Sequence, residues 1–463
     1  MPRTTTVFFC TECGNESPRW QGQCPACSAW NTLVEEPKAP AHRRGAAPGA
    51  RGRRGAVAAG EGSARPVKLA EVAGGESLRW RTGLGELDYV LGGGIVPGSL
   101  VLVGGEPGVG KSTLLLQVAA RLEAAGEPTL YVSGEESAAQ VRLRADRLVD
   151  GAGEVTFLGE TALEPLLERA SERKPSVLFV DSIQTVYTAE LEGAPGNVGQ
   201  VRECAARLQR YAKESGTTVF LVGHVTKGGM VAGPKTLEHI VDTVLYFEGT
   251  SSLDHRVLRA TKNRFGGVDE IGVFRMTARG LEPVANPSEM FLGERARGVS
   301  GSAVVATMEG TRPLLVEVQA LCTKTTYGAP TRVTTGFDRQ RLALLLAVLE
   351  KRAGLGFGQL DVFLNVVGGI RIVETAGDLA VAAALTSSVF DRELPADAVF
   401  LGEVGLGGEL RAVGQMERRL AEAARMGFGS AIVPARAVPA RPPEGIRLVP
   451  LDDVGGLVRT LFR

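Results

Sequence analysis

Residues 105–112 read GEPGVGKS and fit the phosphate-loop pattern G-x-x-x-x-G-K-[ST] in full. This pattern constrains the fold because it works only between a buried strand and a helix. The glycines let the backbone curl so that successive N–H groups face one anion, and the helix start adds its positive end. Both neighbours are present: LVLVG precedes the loop, and Leu114, Leu115, Val118 and Leu122 give the next segment one apolar helical face. The motif assigns Gly105, Glu106, Pro107, Gly108, Val109, Gly110, Lys111, Ser112 and Thr113 to binding ATP. Lys111 should contact the β- and γ-phosphates, Ser112 should hold Mg²⁺, and Thr113 should face the α-phosphate.

Three further apolar runs, TLYVSG, VLFVDS and TVFLVGH, alternate with amphipathic helices between residues 67 and 290. That alternation predicts βαβ units around a parallel sheet, an α/β fold. Each run ends in polar residues. Asp181 is the expected second group on the metal side, and Glu135 the expected base that orients and deprotonates water. Glu136 is read as a solvated first-turn residue favoured by the helix dipole. His224 is placed to sense the γ-phosphate. The Gly-rich stretch TKGGMVAGPKTLEH carries Lys227 and Lys235, candidates for DNA contact.

At 463 residues, and about 150 residues per domain, the chain has room for roughly three units. Its 52 basic and 52 acidic side chains cancel, which excludes a basic coat over the whole chain but not a local basic track. No apolar run reaches the ~18 residues of a membrane helix, and the N-terminal MPRTTTVFFC lacks a signal-peptide core. A cytoplasmic protein without membrane contact is expected.

Four of the six cysteines, Cys10, Cys13, Cys24 and Cys27, form two C-x-x-C pairs within residues 1–34. So short a segment needs a staple to fold. Two knuckles supply four thiolates in a tetrahedron, the geometry of structural Zn²⁺; a redox pair and an iron–sulfur cluster are the alternatives. Packing around the knuckles is the plainer reading of Trp20 and Trp30, a binding surface the other. Residues 35–66, with Arg43, Arg44, Arg51, Arg53 and Arg54, read as a flexible basic linker. Cys204 and Cys322 read as buried small hydrophobes.

Taken together, F-x-C-x-x-C-G, W-x-G-x-C-P-x-C-x-x-W-N-T, GEPGVGKST, LVGHVTKGG and KNRFG (262–266) resemble the bacterial RadA/Sms family over nearly the whole chain. The resemblance implies a four-cysteine zinc finger (1–34), a RecA-like P-loop ATPase core (67–290) and a Lon-protease-like α/β domain (291–463). It also implies a hexameric DNA-dependent ATPase of recombinational repair. Such a motor moves on single-stranded DNA, promotes strand exchange and branch migration of branched DNA, and has the RecA filament as partner. Within KNRFG, Lys262 and Arg264 lie at i and i+2, on one face if extended. They are candidate fingers for a neighbouring subunit's nucleotide.

Lon-type proteolysis needs a Ser-Lys dyad. In ETAGDLAVAAAL, Gly377 takes the serine's place, and in GQME, Glu417 takes the lysine's. Ser387 and Ser388 fall too deep in the helix to serve. The domain is therefore expected to be proteolytically inactive, with Arg339, Arg341 and Lys351 as candidate basic surface or plain solvated charges. Two other functions remain open: a KaiC-type ATPase acting on protein partners, and a nonenzymatic adaptor that binds through its zinc finger. Neither calls for the zinc finger and KNRFG together.

Overall fold

The computed structural model describes residues 6–10, 16–25, 28, 30–37, 79–148, 152–224, 237–249, 255–268, 270–293, 295, 298–326 and 328–462. Cys13, Cys27, Lys227, Lys235 and nearly all of the expected linker lie outside the described residues. Two compact units result. One comprises Met1–Phe247, Thr261–Gly266 and Ala278–Gly280; the other comprises Glu248–Ala260, Gly267–Thr277 and Leu281–Arg463.

The first unit begins with a three-stranded antiparallel ribbon of β1 (Thr6–Cys10), β2 (Glu16–Ser17) and β3 (Leu33–Pro37). Trp20 and Trp30 are 56% and 69% exposed. They flank Gly22, whose Cβ would meet the Trp30 ring at 3.6 Å and Trp20 at 4.0 Å. The expectation that they pack around the knuckles is corrected: a ribbon this small cannot cover two indoles.

After the short helix α1 (Gly85–Val90) comes the α/β core. Its strands are β4 (Leu100–Gly105), β5 (Thr129–Ser133), β6 (Thr156–Leu158), β7 (Val177–Asp181), β8 (Thr218–His224) and β9 (Thr243–Glu248). They run parallel in the order β6–β5–β7–β8–β4–β9. Every residue of β4, β5 and β7 is buried. Helices on both faces explain why these strands read as continuous apolar runs rather than alternating ones. The helices are α2 (Lys111–Ala124), α3 (Ala138–Ala145), α4 (Leu163–Arg173) and α5 (Val198–Ser215). Leu114, Leu115, Val118 and Leu122 all point inward from α2, as the periodicity predicts. A capping box of Ser137 and Gln140 starts α3, and the Asn197 side chain caps α5. Cys204 is buried on α5, where desolvation pushes its thiol up to about 12.

The second unit takes in β10 (His255–Asn263) as far as Ala260 and its antiparallel partner β11 (Ile271–Thr277), in register at Val257↔Val273; the last residues of β10, from Thr261, belong to the first unit. Next come β12 (Gly280–Pro283) and α6 (Pro287–Leu292). The main sheet is built from β13 (Ser302–Glu309), β14 (Arg312–Lys324), β15 (Arg332–Thr335), β16 (Leu360–Val366), β17 (Ala398–Phe400), β20 (Ser430–Pro434) and β21 (Arg447–Leu451). Its order is β15–β16–β14–β13–β17–β20–β21; the small pair β18 (Glu403–Val404) and β19 (Leu410–Arg411) stands apart. Helices α7 (Arg339–Ala353), α8 (Asp378–Phe390), α9 (Met416–Arg425) and α10 (Val454–Phe462) complete it. Leu342, Leu345, Leu346 and Leu349 of α7 are buried as expected. Helix α8 is buried from Asp378 to Ser387, which its uniformly apolar Ala-rich sequence requires. Cys322 is only half-buried; desolvation pushes its thiol up to about 11.

Arg341 is not a free basic residue. Its guanidinium forks onto the fully buried Asp378, with Nε 3.0 Å from Oδ1 and Nη2 on Oδ2. Arg339 and Lys351 are exposed.

Candidate active site

The phosphate loop leaves β4 at Gly105 and enters α2 at Lys111. A Cβ on Gly105 (φ +151°) would lie 2.5 Å from the Phe247 carbonyl oxygen, so only glycine fits there. Around Gly108 (φ +77°) there is open space, and α2 starts at a left-handed Gly110 with no side-chain cap. A cradle with its helix-start N–H groups left for an anion suits a nucleotide's phosphates. Lys111 is buried and donates from Nζ to the carbonyls of Gly105 (2.8 Å) and Glu106 (2.9 Å). Burial lowers its pKa, opposed by the nearby charges of Asp181 and Glu135. Ser112 and Thr113 follow in the first turn, both half-buried.

The expected polar residues converge at the carboxyl ends of neighbouring strands. Asp181 ends β7, and its register partner on β5 is Ser133. From there the chain turns through Gly134, where a Cβ would sit 2.5 Å from Thr185 Oγ1 and 2.6 Å from Thr161 Cγ2. That close approach brings Glu135 over the end of β7. Ser182 Oγ donates to Glu135 Oε1 at 2.5 Å, and His224 Nε2 stands 3.4 Å from the same oxygen. His224 first, then Ser182 and Lys111, hold the Glu135 carboxyl down to about 2 against the effect of burial. At 3.4 Å the His224 contact is at the long end of hydrogen bonding. Neither ring nitrogen has a good hydrogen bond among the described residues.

Glu136 departs from expectation. Arg144 of α3 grips it bidentately, Nη1–Oε2 at 2.6 Å and Nη2–Oε1 at 2.5 Å, so it is a paired group and not a solvated one. Sequence reasoning also passed over Tyr131 and Ser182. Tyr131 Oη donates to Asp181 Oδ2 at 2.6 Å. The available signal was a phenol in the middle of a buried strand, because a buried hydroxyl needs a partner.

Lys262 and Arg264 lie elsewhere. Strand β10 ends at Asn263, so Arg264 sits in the following turn and the two do not share an extended face. Lys262 Nζ donates to the carbonyls of Glu238 (2.5 Å) and Val241 (2.8 Å). Burial and then the Arg264 charge lower its pKa. Arg264 Nη1 donates to Asp242 Oδ1 at 2.9 Å, while Asp242 Oδ2 accepts the Leu100 N–H at 3.1 Å. Leu100 begins β4 and Gly105 ends it. Five steps of about 3.3 Å put the motif's anchor about 17 Å from its own phosphate loop, at the opposite edge of the sheet. Arg79 braces the turn by donating to the Phe265 carbonyl at 2.7 Å.

In the ribbon, Cys10 and Cys24, one from each knuckle, are buried and share a small cluster with Leu33 and Phe8. Thiols brought together from separate knuckles suit a tetrahedral thiolate metal.

Comparison with known proteins agrees with this geometry. The AAA domain family matches residues 76–230, and the rubredoxin metal binding domain matches residues 8–35. The DNA repair protein RadA of Pseudomonas aeruginosa is 51% identical over 100% of both chains. That of Bacillus subtilis is 49% identical over 99% of each, and that of Escherichia coli K12 is 49% identical over 96% of this chain and 95% of its own. The chain carries an AAA-type ATPase domain behind an N-terminal zinc ribbon and belongs to the RadA family of DNA repair proteins.

Proposed function

We propose that the protein is a DNA-dependent ATPase that works as a ring, in the form of a hexamer. It translocates on single-stranded DNA to promote strand exchange and branch migration, alongside a RecA filament in the cytoplasm. The observation that carries the reading is the convergence of Lys111, Asp181, Glu135 and His224 at one edge of the sheet, with KNRFG anchored at the other.

Each residue then has a role. The loop 105–113 cradles the phosphates, and Lys111 exchanges its two carbonyl partners for phosphate oxygens. Ser112 and Asp181 hold Mg²⁺, which supplies positive charge to the β- and γ-phosphate oxygens when bound. Glu135 orients the attacking water, with Ser182 fixing the carboxylate. A carboxylate held near 2 is a poor base. Drawing His224 from Glu135 to the γ-phosphate would raise its basicity when ATP is present. His224 thereby couples nucleotide state to the segment holding Lys227 and Lys235, the DNA contacts. Lys262 and Arg264 cannot span about 17 Å to their own nucleotide, which supports their acting on a neighbouring subunit's phosphates. The ribbon's four cysteines hold structural Zn²⁺.

The C-terminal unit is read as a Lon-like domain without protease activity. A Cβ on Gly377 would lie 2.7 Å from Ile372 Cγ2, so the place of the serine is already filled. Ser387 Oγ accepts from Gly301 N at 2.8 Å and donates to the Arg392 carbonyl, and Ser388 Oγ accepts from Cys322 N at 2.8 Å. Neither hydroxyl is free to attack.

The test is ATP turnover with and without single-stranded DNA, then with mixed subunits. DNA should stimulate the wild type. Excess Lys111→Ala chains should restore turnover to Arg264→Ala chains by lending intact fingers. No stimulation would remove the motor reading. Absence of rescue in rings shown to be mixed, with sites able to fire singly, would remove the finger assignment alone.

A further inference from the structure

Tyr131 is buried in the middle of β5. Its register partner on β7 is Phe179, two residues before Asp181, so Tyr131 and Asp181 stand diagonally across adjacent strands on one face. The diagonal is within reach of an aromatic side chain, and Tyr131 Oη meets Asp181 Oδ2 at 2.6 Å. The Tyr131 ring is held in turn by stacking on Phe179, centroids 6.1 Å apart, and Phe179 stacks on Phe220 at 5.4 Å. A phenol keeps its proton near neutral pH, so Tyr131 is the donor in this bond. Arg144 and Glu136 also bear on it, and those two charges are paired with each other.

We infer that Tyr131 is a positioning residue: it pins Asp181 by Oδ2 and leaves Oδ1 turned to the metal side of the nucleotide. The inference rests on the reading that Asp181 serves Mg²⁺. A carboxylate at a strand end has two-fold freedom about its last torsion. A phenol anchored in the sheet removes that freedom and takes up one oxygen, so a single oxygen faces the phosphate cradle. Residues that orient a metal's immediate partners carry weight comparable to theirs, and their loss weakens metal affinity by about 10–100-fold.

The experiment uses the full chain with ADP and Mn²⁺ as the probe, bound Mn²⁺ being read by electron paramagnetic resonance. Tyr131→Phe should weaken Mn²⁺ binding by about tenfold or more. Affinity for ADP without metal should stay within about twofold, because the cradle itself is untouched. ATP turnover should fall at limiting Mg²⁺ and return at high Mg²⁺. p-Aminophenylalanine at position 131 restores a donor and should restore Mn²⁺ affinity, which a packing defect would not allow. Asp181→Asn is the control. If it weakens Mn²⁺ binding while Tyr131→Phe does not, or if the donor analogue fails to rescue, Tyr131 only packs. If Asp181→Asn leaves Mn²⁺ binding intact, the metal reading of Asp181 falls, and this inference with it.

Discussion

Two helices of this molecule start at a glycine and a charged residue, with opposite consequences. Helix α2 starts after Gly110 with Lys111, and helix α8 after Gly377 with Asp378. Lys111 is bonded to loop carbonyls, with the carboxylates of Asp181 and Glu135 nearby but not paired to it. Asp378 is closed off: Arg341 forks onto it, and its Oδ2 also accepts the Val404 N–H at 3.1 Å. One turn earlier, Glu374 takes Arg419 on both oxygens, together with the Met308 N–H. The same local device, charge at a helix start beside a buried strand, thus serves two ends. Where the charges satisfy one another, they fix a fold. Where they stand apart around an open cradle, they wait for a ligand that completes them.

The largest expected effect falls on the open site. Lys111→Ala should cut ATP turnover at least about 10²–10³-fold by removing a charge aimed at the transferring phosphate. It should also weaken nucleotide binding. Glu135→Gln should lose a comparable share of turnover, about 10²–10⁴-fold, yet keep nucleotide affinity and stay trapped on DNA with ATP. Equal losses of affinity in the two variants, by titration with a fluorescent nucleotide, would contradict the division of labour between them.

Next comes the closed site, where the effect should fall on stability. Arg341→Ala leaves the buried Asp378 carboxylate with a single backbone donor. A cost of about 3 kcal/mol is expected, the low end for a broken buried pair because Arg341 keeps some exposure. Calorimetry should show the loss in the transition of the C-terminal unit, with ATP hydrolysis per folded chain unchanged. Lost turnover without lost stability would erase the contrast between the two helix starts.

Much of this was legible in the sequence, and the boundary has physical causes. Buried parallel strands announce themselves as continuous apolar runs, so β4, β5, β7 and β8 could be read with the polar residues at their ends. What stayed hidden were side-chain pairings that only the folded chain makes, near or far along the sequence. Arg144 claims Glu136, and Arg341 claims Asp378 37 residues away, because folding brings together charges that a linear reading leaves in solvent. Tyr131 was hidden for a related reason: an aromatic residue in a strand looks like core until the strand's neighbour is known. Arg264 was misjudged locally, since β10 stops one residue short of it. Trp20 and Trp30 look like core by composition, but the ribbon around them is too small to bury them.

The smallest effect should appear in acid, and it sharpens the same contrast through one carboxylate. Glu135 has a folded pKa of about 2 against an ordinary 4.5. Between those values the unfolded chain binds the proton that the folded chain refuses, so stability rises with pH across this window. The contribution is present in full above about 4.5 and is lost as the pH falls through about 2. Because Glu135 is well exposed, solvent screening reduces it to about 1 kcal/mol or less, or about 2–4 °C in the transition of the ATPase unit. Glu135→Gln keeps an oxygen for Ser182 but no charge for His224, so it should melt slightly below the wild type near neutral pH. The gap should close as acid protonates the wild-type carboxylate. Asp378 behaves oppositely, since burial raises its pKa despite Arg341, and protonation relieves it. Paired melts of wild type and Glu135→Gln from pH 7 downward provide the check. A gap that widened in acid would mean that Glu135 is held by burial, like Asp378, and is not poised by His224 and Ser182 at an open site.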